Sequence, residues 1–186
     1  MNRSMQPPAY AALEPFLDHW DGVRMVTLKL LHGFSAEDLL RTPWQGSKTV
    51  GEMFHHIGAH QFYAARGLFK NQWEPAGTLE ESPDADWELH KHLTVYKLET
   101  LAHWLQSVQT RVRQWAEDVS ADRLWEFAQD NPWHEGMRGW LLLQHAYQDE
   151  IHHRGQLFVF ARQLGHIPPD VFAVDHPEYW DSRKWK

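Results

Sequence analysis

Two short runs in this 186-residue chain place metal-ligating side chains at helical spacing. His55, His56 and His60 fall close together, and His56 and His60 stand one helical turn apart, so a helix presents both on one face. Asp149 and His153 repeat the same step near the C-terminal end. An apolar stripe traced through Leu142, Ala146, Asp149, His153, Leu157, Phe160 and Leu164 turns that carboxylate and imidazole toward a core. Burying either unpaired costs on the order of several kcal/mol, and one divalent metal would satisfy both. With His56 adjoining the apolar position Ile57, the set becomes His56, Asp149 and His153. Two histidines and one carboxylate leave coordination positions open to water or substrate, the pattern of a catalytic site and not a structural one. If the stripe is shifted by one residue, Asp149 and His153 are an ordinary surface pair and a histidine faces water.

These residues need helices to hold them. Helical periodicity predicts a first helix over residues 7–32 ended by Gly33, and a helical turn at Ser35 to Asp38. A second runs from Val50 to Lys70 behind a Thr49–Glu52 capping box. A third covers about 86–118, after a Pro- and acid-rich loop at 71–85. A short turn at 120–127 and a loop at 129–136 precede the fourth, from Met137 to Leu164, with Gly165, Pro168 and Pro169 as its stop. No stretch alternates with period two. The expected fold is all-α, a four-helix bundle over residues 1–165, and bundle cores are where facing helices build metal sites. Residues 166–186 read as a tail anchored by Phe172, Tyr179 and Trp180 on the bundle or on a dimer partner.

Composition removes several classes. The chain has no cysteine, which excludes disulfides, iron–sulfur clusters, thiolate metal sites and a protein-borne thiol nucleophile. Eighteen Lys and Arg against 25 Asp and Glu leave a net charge of −7, the wrong sign for a nucleic-acid surface. No apolar run could span a bilayer, and the first residues do not form a signal peptide, so the expected location is cytoplasmic with no membrane partner. The 14 histidines and 11 tryptophans are in excess. Tryptophan suits core and interface packing, whereas histidine is the usual nitrogen ligand for metals.

The segment from Asp149 through Glu150, Ile151, His152, His153, Arg154 and Gly155 to Gln156, followed by Leu164-Gly165 and Pro168-Pro169, resembles the last helix of DinB-like proteins. Val50 to Ile57 with its capping threonine resembles their second helix. The resemblance runs from the first helix to about Pro169. It implies a four-helix bundle, commonly dimeric, with a mononuclear nickel or zinc held by three histidines. His56 and His153 take two of those positions, and Asp149 stands where the family usually has histidine. The branch resembling mycothiol-dependent maleylpyruvate isomerase has a carboxylate there, and an oxygen ligand widens the choice toward manganese or iron. Relatives use low-molecular-weight thiols such as bacillithiol and mycothiol, so the implied activity is a thiol S-transferase, or a hydrolase in which the metal activates water, acting on a small-molecule substrate. His60, Glu52, Tyr147 and His152 lie within a turn of these ligands and are candidates for supporting or proton-transfer roles; Arg154 could hold a substrate carboxylate, or fix Asp149 or another acid.

Two other readings use the same residues. Glu52 with His55 and Glu150 with His153 are Glu-x-x-His steps, half of a ferritin-like di-iron oxidase signature, which Glu14 and Glu99 could complete. A non-catalytic, metal-stabilised bundle that binds a small molecule is the other.

Overall fold

A computed structural model of the chain describes residues 13–73, 96–117, 119, 121–126 and 137–171. Helix α1 spans Leu13–His32 and buries Leu17, Trp20, Val23, Arg24, Thr27 and Leu31, a stripe at steps of three and four. Helix α2 spans Val50–Lys70. Its capping box forms as the sequence predicts: the Thr49 hydroxyl accepts from the Glu52 N–H at 3.1 Å and the Glu52 carboxylate from the Thr49 N–H at 2.6 Å. Helix α3 spans Leu98–Glu117 and helix α4 spans Gly139–Gln163. Short 3₁₀ turns at Asp38–Leu40 and Ala121–Leu124 follow α1 and α3.

Helix α4 stops in a Schellman motif. Gly165 takes φ 84°, its N–H bonds the Arg162 carbonyl at 3.0 Å, and the His166 N–H reaches the Ala161 carbonyl at 2.9 Å. The third helix differs from expectation. Tyr96 and Lys97 are not helical, and the Tyr96 ring lies across Gly51 of α2 and stacks on His55 at 5.6 Å. The expected N-terminal extension of α1, the remainder of the 71–85 loop, the start of the third helix, the 129–136 loop and the tail anchors Phe172, Tyr179 and Trp180 lie outside the described residues.

Helices α1 and α2 each pack on both α3 and α4, which sets them at opposite corners of a bundle. The core between them is apolar, with Val26, Leu31, Phe54, Ile57, Leu105 and Leu157 sealed from solvent. One charged cluster interrupts it. Arg24 is fully buried and donates to Glu150 of α4 at 2.9 and 3.0 Å, to the Leu105 carbonyl of α3 at 3.1 Å and to Gln61 of α2 at 2.5 Å. Trp20 and Thr27 fill the remaining acceptor positions of Glu150, each at 2.7 Å. A single guanidinium therefore ties all four helices together.

Candidate metal site

The buried stripe of α4 runs through Leu143, Ala146, Glu150, Arg154, Leu157 and Ala161. It is rotated from the stripe the sequence suggested: Asp149 and His153 flank the core and are only partly buried, facing α2. That position, at the edge of the core, brings them to the histidines. Asp149 Oδ2 lies 3.0 Å from His60 Nδ1 and 3.6 Å from His56 Nε2, and Asp149 Oδ1 lies 3.4 Å from His153 Nε2. The His56 and His153 rings meet edge to face at 4.9 Å. One ligand atom each from His56, His60 and Asp149 falls within 4.8 Å of the others, close enough to share one ion.

The polar atoms fit a cation. Asp149 Oδ2 and His60 Nδ1 are buried, and neither has a hydrogen-bond partner of good geometry despite their proximity. Such atoms are costly unless something between them accepts both lone pairs. His153 Nδ1 sits 2.9 Å from Gln156 Oε1, an acceptor only, so Nδ1 carries the proton and Nε2 is turned to the cluster.

Burial acts against the charge on Asp149, but the close imidazoles of His153 and His60, at 3.4 and 3.0 Å, outweigh it and hold the carboxyl well below its ordinary range. Desolvation pushes His56 down, toward the neutral ligand form, against the opposing pull of Asp149; His153, His60 and Lys48 add to the downward shift. His153 moves up, chiefly through its hydrogen bond to Asp149, with burial opposing. The cluster opens on a cavity of about 510 Å³ whose other walls include Ala59, Tyr63, Met137, Leu142 and His145.

The remaining expected residues are placed elsewhere, with one exception. His60, expected in a supporting role, stands among the ligand atoms themselves. His152 is exposed beside His153, ring centroids 5.1 Å apart, and contacts Gln156. Tyr147 faces α1, its hydroxyl 2.8 Å from His19 Nε2, so it does not serve the cluster. Arg154 is buried and donates to the Val23 carbonyl at 3.0 Å; desolvation lowers its pKa against the charge of Glu150. That bond turns it toward α1 and the core, away from Asp149. Glu52 is committed to the cap.

The di-iron arrangement does not form either. Glu150 is saturated by Arg24, Trp20 and Thr27, and Glu14 and Glu99 are exposed. Gln156 and the cavity wall at Tyr63 and Met137 were missed by sequence reasoning. Gln156, three positions after His153, carried a signal in its spacing; the wall residues carried none.

The bundle is similar to solved DinB-like proteins. One from Bacillus subtilis, YjoA, superposes with a TM-score of 0.64 at 22% identity, covering 83% of this chain and 96% of that one. One from Bacillus cereus ATCC 10987 gives 0.65 at 23%, covering 87% and 98%. At these identities the likeness establishes the fold. In sequence, the chain is 26% identical over 151 residues to YjoA of Bacillus subtilis strain 168, a protein described as uncharacterized, covering 81% of this chain and 87% of that one. The family model matches residues 1–184, and the chain belongs to the DinB family.

Proposed function

We propose that this protein is a metal-dependent enzyme with a mononuclear divalent site, a thiol S-transferase or hydrolase acting on a small molecule. The observation that carries the reading is the convergence of His56, His60 and Asp149, with His153 at hand, on one open cavity. The donor set suits zinc or nickel, and its carboxylate oxygen admits manganese or iron. When bound, such an ion supplies the Lewis acidity that makes a water or small thiol nucleophilic near neutral pH.

The chain's own residues do the rest. Asp149 brings the negative charge, and His56 stays neutral and able to ligate. Gln156 fixes the tautomer of His153. His152, exposed and bonded to Gln156, would reach the site only through Gln156 and His153. Tyr63, Met137 and Leu142 line the cavity against the substrate. With no cysteine in the chain, any thiol comes from outside. The protein is proposed to work in the cytoplasm as a homodimer, without a nucleic-acid or membrane partner. No helix among the described residues is long and apolar enough to cross a membrane.

Metal content by plasma mass spectrometry, on untagged protein purified without chelator, tests this. About one zinc, nickel or manganese per chain is expected. Asp149→Ala should lose it while the circular dichroism stays helical. Full occupancy in Asp149→Ala, or no uptake by wild type after reconstitution, overturns the proposal.

A second reading is favoured by the fourth donor. If His153 joins His56, His60 and Asp149, the ion is enclosed and the bundle is a metal-stabilised binding protein. Cobalt-loaded protein separates the two: a thiolate charge-transfer band on adding a small thiol supports the open site, and an unchanged spectrum supports the closed one.

A further inference from the structure

The N-terminal half of α4 borders a second cavity, on the side of the helix turned toward α1. Its volume is about 400 Å³, and none of its lining residues lines the metal cavity. Helical geometry explains the separation: Trp140, Gln144 and Tyr147 share one face, while Leu142, His145 and Asp149 occupy the opposite one.

Two aromatic pairs wall this space. Trp125 and Trp140 have centroids 6.1 Å apart, and Phe16 and Tyr147 are 5.7 Å apart. Leu143, Leu124 and Pro15 complete the apolar lining. Among the described residues no Lys, Arg, Asp or Glu lines the cavity, and its one imidazole, His19, is bonded to the Tyr147 hydroxyl, so an ionised ligand would lose hydration there for little counter-charge.

One polar feature is unanswered. Gln144 lines the cavity, and its Oε1 is buried with no hydrogen-bond partner. The other polar groups of the lining are engaged or at the surface, since His19 Nε2 lies 2.8 Å from the Tyr147 hydroxyl and Gln148 is exposed, which leaves Gln144 Oε1 as the buried acceptor still to be satisfied. It is a good seat for one donor on an otherwise apolar molecule, and χ3 of a glutamine is a soft torsion that can turn Oε1 toward an occupant.

We propose that this cavity is a second small-molecule site, taking a neutral planar aromatic compound of one or two rings with a single hydrogen-bond donor. The rings lie between the two aromatic pairs and the donor meets Gln144 Oε1. Placing the donor this way gives the site its selectivity, because the aromatic and aliphatic walls do not distinguish the compound from its methyl ether.

Equilibrium dialysis of the full chain against 2-naphthol and 2-methoxynaphthalene tests the assignment. The naphthol should bind about tenfold more tightly than the ether, the effect of one satisfied buried hydrogen bond. Gln144→Met should abolish that preference while retaining affinity for the ether. Gln148→Trp, which fills the exposed mouth without entering the core, should block both probes. The proposal fails if neither probe binds wild type at millimolar concentration or if both bind it equally. It also fails if the preference survives in a folded Gln144→Met or if Gln148→Trp leaves binding unchanged.

Discussion

Arg24 on α1 meets Glu150 on α4 at 2.9 Å with both side chains wholly shielded from water. Such a pair is tolerable because each guanidinium nitrogen and each carboxylate oxygen is bonded, with Gln61, the Leu105 carbonyl, Trp20 and Thr27 completing the set. Removing one partner leaves an uncompensated charge in the core. Arg24→Met and Glu150→Gln should each destabilise the fold by about 3–5 kcal/mol. The double variant should lose clearly less than the sum of the two. Urea unfolding of all four proteins measures the coupling, and additive losses would show that the pair does not act as a unit.

The same pair explains what the sequence concealed. Local signals were legible: the Thr49–Glu52 cap, the Gly165 stop and the apolar steps of α1 and α2 depend on residues within a turn or two of one another. The face of α4 was not. Ranking by hydropathy turns Asp149 and His153 inward and offers no reason to bury Glu150, because its partner Arg24 lies on a helix distant in sequence. A reading that put Glu150 and Arg154 on one face with Leu143, Ala146 and Leu157 was equally periodic. Only tertiary pairing decides between them. The proximity of His60 to Asp149 was hidden for the same reason, since whether His60 or only His56 reaches that carboxylate depends on how α2 is registered against α4.

Proton competition should govern metal affinity. His153 is shifted upward by its hydrogen bond to Asp149, so the metal-free site keeps a proton on that ring to higher pH than an ordinary imidazole would. In the reading in which His153 joins the ion, engaging Nε2 with a metal displaces that proton. Zinc affinity should therefore rise with pH, by about tenfold per unit for each proton displaced, until the ring is neutral without metal. Competition titration against a chromophoric chelator between about pH 6 and 8 reads the slope. His153→Asn should flatten it; an unchanged slope would mean His153 is not a ligand.

Gly58 of α2 lies directly against Trp104 of α3. A methyl group there would run into the indole nitrogen of Trp104, whose N–H donates to the His55 carbonyl at 3.3 Å. Helix propensity alone favours alanine by about 1 kcal/mol. Overpacking should outweigh that, leaving Gly58→Ala less stable by about 1–3 kcal/mol. Adding Trp104→Phe should recover part of the loss. Thermal unfolding decides the sign, and a stabilised single variant would show that α3 can shift at no cost.

Asp38 fastens the segment after α4 to the turn after α1, and its protonation should loosen that joint. Burial alone would raise its pKa, but the Ser35 N–H at 2.9 Å, the Ser35 hydroxyl at 2.7 Å and His166 Nε2 at 3.0 Å bind the carboxylate and lower it on balance. A carboxyl whose folded pKa is depressed contributes stability above its unfolded pKa of about 3.9 and loses that contribution as pH falls through the folded value. The full contribution is thus present at neutral pH and disappears only in the acid limb. Asp38→Asn should cost about 1–3 kcal/mol at pH 7 and remove this part of the acid dependence, so the two proteins converge in stability below the folded pKa. Urea midpoints taken from neutral pH into that limb measure it. A constant gap at every pH would assign the loss to packing and not to the charge that Ser35 and His166 hold.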